Sequence, residues 1–141
     1  MPTLSRWAIG ASLAYLLLGF SLGALLLAQK GIGVHPLLWR LLPLHREALM
    51  LGWMVQMGMG VAYWVFPRIA RQRRREGFAW LALLMLNGGL WVAGLAPALG
   101  LHGWVLGAGR VAEVAAVGAF AIHIFPRVRL PPPEAGAPPN P

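Results

Sequence analysis

Four long apolar stretches organise the chain: residues 5–29, 45–66, 78–97 and 103–125. Each reaches the length of about 20 apolar residues that a helix needs to cross a bilayer. The predicted fold is therefore all-α, an integral membrane protein whose four transmembrane helices occupy residues 1–129. The first stretch exceeds a signal-peptide core and is followed by no small-residue cleavage site, so a retained helix is expected. The segment 30–44, KGIGVHPLLWRLLPL, contains Gly31, Gly33, Pro36 and Pro43. It reads as an external loop with a short interfacial helix around Leu37–Leu42, where Trp39 suits the headgroup level. Residues 98–102 read as a tight external turn. The tail 130–141, LPPPEAGAPPNP, is proline-rich and expected to be disordered.

Composition agrees with the pattern. Hydrophobic residues make up 58% of the 141, and the mean hydropathy is +0.64, more apolar surface than a soluble domain of this length uses. The absence of cysteine excludes disulfides, thiolate metal sites and covalent haem attachment. A net charge of +8 raises the question of nucleic acid, but the placement of the charges answers it otherwise. Arg6, Arg68, Arg71, Arg73, Arg74, Arg75, Arg127 and Arg129 fall on one side of the predicted membrane, and Lys30, Arg40 and Arg46 on the other. The positive-inside rule then puts both termini and the arginine-rich loop in the cytoplasm of a bacterial cell, with the chain in the inner (cell) membrane. The arginine cluster reads as a topology anchor against anionic lipid, with no nucleic-acid partner. Helix 2 ends VFPRIAR and helix 4 ends IFPRVRL, a shared membrane-exit signal in which proline stops the helix and arginine enters the headgroups.

Polar residues inside the spans carry the candidate chemistry, because each is costly in lipid unless it faces protein or a cofactor. On helix 2, helical spacing aligns His45, Leu49, Gly52, Gln56, Gly60 and Tyr63. The stripe combines a ligand-type residue, two hydrogen-bonding residues and two glycines that make room for something flat or for another backbone. The bland alternative is helix–helix packing with polar glue. Gly19 and Gly23 of helix 1 form a GxxxG pair and are assigned to packing. Helix 4 carries His102, Leu106, Arg110, Glu113 and Val117 on one face, with Arg110 and Glu113 spaced to pair. That pair either locks helices together or presents Arg110 to an anionic group such as a haem propionate. His45 and His102 both fall near the outer surface. His123 lies near the inner end of helix 4 and His35 in the external loop.

The pattern His45-x-Glu47-x4-Gly52-Trp53, followed by Gly60-Val61-Ala62-Tyr63 and Pro67-Arg68, resembles the histidine-bearing helices of the haem–copper oxidase subunit I superfamily. It is most similar to the nitric oxide reductase branch and the related NO-response haem membrane proteins. There a helix commonly reads His-x-His-x4-Gly-Trp/Phe, with a glycine eight residues on, an aromatic residue and a terminal Pro-Arg. The match covers residues 45–68. It departs where Glu47 stands at the second histidine position, so the paired-histidine centre of the family is broken and the resemblance implies one haem ligand, His45. Subunit I of these enzymes has twelve helices in three four-helix arcs, and the second helix of each arc carries metal ligands. This chain resembles one such arc, which implies association of copies with haem at the subunit boundary.

Two function classes follow. The first is a b-type haem-binding membrane protein working in electron transfer, NO or haem handling. His45 is then the axial metal ligand, with His102 or a second copy's His45 opposite. Arg46 and Arg110 are the propionate partners, and Gly52, Gln56, Gly60 and Tyr63 line the cleft. Haem b is the expected cofactor and a homo-oligomer, dimer or trimer, the expected assembly. The second is a cofactor-free accessory subunit that stabilises a respiratory oxidase or nitric oxide reductase. Transport is a weaker reading, since of the acidic residues only Glu113 stands at mid-span. No hydrolytic or nucleophilic constellation and no phosphate loop is present, so an enzyme acting alone is not expected.

Overall fold

The computed structural model describes residues 1–66 and 76–128. The cluster Arg68–Arg75 and the tail 130–141, expected to be disordered, lie outside the described residues. The described residues form helices and no strand: α1 (Thr3–Ile32), α2 (Pro36–Val65), α3 (Glu76–Leu95) and α4 (Gly103–Val128). All four are long and apolar enough to cross a membrane. Large apolar side chains stand exposed on their outer faces, Leu17, Leu27, Leu84, Trp104, Val111 and Val114 among them, as lipid contact requires.

The second helix begins earlier than its apolar pattern suggests. Pro36 and Pro43, read from sequence as loop residues, each sit in the first turn of a helical segment, where a missing N–H costs nothing. A 3₁₀ segment Pro36–Leu41 therefore runs directly into α-helix at Leu42–Glu47. His35 caps this start, its Nδ1 accepting from the Leu37 N–H at 3.3 Å. A π segment, Ala48–Val55, follows before α-helix resumes at Gln56–Val65. There the Gln56 N–H donates to the Leu51 carbonyl, five residues back. Two glycines close the other connections. Gly33 adopts φ 67° and donates to the Gln29 carbonyl at the end of α1. Gly100 adopts φ 66° in the turn before α4, where the Leu101 N–H reaches the Ala96 carbonyl at 2.9 Å.

Small residues set the packing, since lipid offers helices no hydrophobic drive to associate. Helices α1 and α2 lie antiparallel as a zipper of side chains over glycines. Ala8 and Ile9 fill the space beside Gly60, the Tyr15 ring that beside Gly52, Leu49 that beside Gly19, and the His45 ring that beside Gly23. Helices α3 and α4 approach backbone to backbone at Gly89 and Gly109. Leu44 covers Gly94 and joins α2 to α3. One core cluster gathers Leu4, Met59, Tyr63, Leu86, Ala116 and Phe120 from all four helices at the end that holds the N-terminus. A second, with Tyr15, Leu22, Leu44, Ala48 and Leu90, lies toward His45.

Candidate functional site

His45 is partly buried, with its ring against Gly23 and its Nδ1 2.8 Å from the Gly19 carbonyl. A carbonyl only accepts, so Nδ1 carries the hydrogen, and in the neutral ring Nε2 keeps its lone pair. The pair Gly19 and Gly23 thus acts as packing, with Leu49 over Gly19 and the imidazole over Gly23, while the Gly19 carbonyl holds the ring. Glu47 lies two residues on, about 200° round the helix, and so points away from α1. It is 6% exposed and meets α4, where its Oε1 is 2.6 Å from a terminal nitrogen of Arg110. Arg110 also bonds Glu113 Oε2 at 2.9 Å through its other terminal nitrogen. The expected pairing of Arg110 with Glu113 is present, and Glu47 joins it as a third member.

The stripe below His45 faces inward, and α1 occupies it. Gly52, Gln56, Gly60 and Tyr63 are all buried. A Cβ at Gly52 would lie 2.5 Å from the Tyr15 ring, and one at Gly60 would lie 3.0 Å from Ala8 and Ile9. Gln56 donates to the Ala8 carbonyl at 3.3 Å and accepts from Asn87 at 2.9 Å. Asn87 also donates to the Leu83 carbonyl at 2.7 Å and accepts from the Tyr15 hydroxyl at 2.7 Å. Three helices are joined through this one amide. Tyr63 stacks on His123, with ring centroids 5.8 Å apart and planes 16° apart.

The fit of a haem to these residues divides sharply. His45 has the form of an axial ligand: one ring nitrogen tied to a carbonyl, the other free to bind metal. Among the described residues, the glycines of the stripe are already covered by side chains of α1, so a macrocycle does not fit against that face. Arg110 is bonded through both terminal nitrogens to glutamate side chains, so a propionate would have to compete with them. Arg46 is exposed. His102 is exposed just before the start of α4, while His45 faces α1, so the chain does not bring the two histidines together. No group of three or more metal-ligating side chains occurs among the described residues.

Tyr15 and Asn87 were not singled out from the sequence, although Asn87 is the sole amide in the apolar run of α3 and that alone is a signal. Glu47 entered only as a departure from a histidine pair. Comparison with family models, with curated proteins and with solved structures finds no match.

Proposed function

We propose that this chain is a multi-pass membrane protein that binds haem b through His45 at the boundary between copies of itself. The observation that carries the reading is the hydrogen bond from His45 Nδ1 to the Gly19 carbonyl, which fixes ring orientation and leaves Nε2 as a ligand atom. A filled interior favours a boundary site over one enclosed by a single chain, with a second copy's His45 as the opposite ligand. Haem supplies one-electron chemistry or binding of NO when present. The chain's own residues orient the imidazole, through Gly19, and offer Arg46 as a cation for the propionates. The charge asymmetry of the loops supports cytoplasmic termini and a bacterial inner-membrane location. Purified protein is expected to give a Soret band and a b-type pyridine haemochrome. Colourless protein that takes up no added haem removes this reading.

One observation favours a second reading. The buried Gly52, Gln56, Gly60 and Tyr63 are all satisfied within the chain, as a cofactor-free accessory subunit of a respiratory complex requires. Co-purification with an oxidase or reductase, with no haem attributable to this chain, distinguishes it.

A further inference from the structure

The cluster of Glu47, Arg110 and Glu113 has two carboxylates and one guanidinium. Glu47 and Glu113 are 6% and 5% exposed, whereas the Arg110 side chain is 48% exposed. The cation is thus the least enclosed member, and the anions are the buried ones. Among the described residues, no further ion pair joins this cluster. Helix α3 meets Glu113 through Gly89 and carries no ionisable side chain beyond Glu76 at its start. Helix α2 contributes Glu47. With both acids ionised, one excess negative charge would sit at membrane depth, where an uncompensated ion is costly.

A second observation identifies where the balance is made. Glu113 Oε1 is buried and has no hydrogen-bond partner. Its Oε2 receives Arg110 at 2.9 Å, while Glu47 makes the closer contact with the same guanidinium, at 2.6 Å. A bare, ionised carboxylate oxygen in an apolar setting is the most costly arrangement available to it, and a neutral acid is far cheaper. We infer that Glu113 is a proton-binding site within the membrane: at neutral pH its Oε1 carries a proton, and the cluster is the neutral set of ionised Glu47, charged Arg110 and protonated Glu113. Binding adds one proton to one carboxylate and changes no other bond. The inference does not rest on a haem at His45.

The chain suits a direct test, because its four acidic residues are all glutamates, Glu47, Glu76, Glu113 and Glu134. Full-length protein in phosphatidylcholine vesicles, without haem, is examined by infrared spectroscopy at pH 7. The expected result is a protonated-carboxyl C=O band that shifts on ¹³C-glutamate labelling, disappears in Glu113→Gln and persists in Glu76→Gln. Glu47→Gln supplies a test in which Glu113 remains. Removing the excess charge leaves Glu113 opposite one guanidinium, so its proton is released and the band is lost. No protonated-carboxyl band in the wild type overturns the proposal, as does a band unchanged in Glu113→Gln. A band that survives Glu47→Gln overturns the charge-balance cause. If Glu113→Gln fails to fold, Glu113→Asp serves in its place: in ¹³C-glutamate-labelled protein its carboxyl band should no longer carry the isotope shift, and a band that still shifts overturns the proposal.

Discussion

Asn87 shows how much one side chain holds in this molecule. It accepts from Tyr15 on α1 and donates to Gln56 on α2 and to its own helix. Asn87→Leu leaves the Tyr15 hydroxyl and Gln56 Oε1 without these partners in a setting where water does not replace them. The expected loss is about 1–3 kcal/mol in reversible unfolding in detergent. Gln56→Leu combined with Asn87→Leu should cost less than the two losses added, because they share a bond. A strictly additive pair contradicts the network. The sequence marked Gln56 as a hydrogen-bonding residue but left its partner unseen. Periodicity sorts residues onto faces of one helix, whereas the Gln56–Asn87 contact depends on how two helices are set against each other.

At the scale of the helix, glycine position decides what a substitution costs. A Cβ at Gly89 would lie 2.8 Å from the Gly109 carbonyl and 3.0 Å from the Glu113 nitrogen, backbone atoms that yield only if the helices part. Gly107, on the exposed side of α4, has nothing within 4 Å. Gly89→Ala should therefore destabilise by about 1–3 kcal/mol through overpacking. Gly107→Ala should be neutral or stabilising by up to about 1 kcal/mol through helix propensity. Equal effects in thermal unfolding would refute this account of the α3–α4 contact. The spans themselves were legible, since apolar length is a strong signal. The start of α2 was legible in part: a short helix around Leu37–Leu42 was expected, but its continuity with the span was not, because Pro36 and Pro43 read as breakers although proline in a first turn is compatible with a helix. The π segment Ala48–Val55 has no counterpart in a fixed 3.6-residue period, yet Gly52 and Gln56 remain buried across it.

For the whole molecule, the proposed orientation rests on the charges of the loops and the proposed assembly on the filled interior. The cysteine-free chain permits single-cysteine mapping without background. Val34→Cys is expected to react with a membrane-impermeant maleimide added outside intact cells, and Asn140→Cys only after the membrane is opened. The reverse pattern would place His45 at the cytoplasmic face and contradict the proposed topology. The candidate site was legible in part. His45 was found by residue type and pattern, but the role of Gly19 and Gly23 in holding its ring required the packing of α1 on α2. His102 shares a predicted depth with His45, but depth carries no information about which side of α2 each faces.

Whether His45 is the ligand is decided by haem titration of the purified wild type beside His45→Ala. The wild type should saturate at one haem per two chains with a low-spin, b-type spectrum. His45→Ala, still inserted and of unchanged oligomeric state, should bind weakly or not at all. Wild-type affinity and spectrum retained in His45→Ala would contradict the assignment of His45 as the ligand.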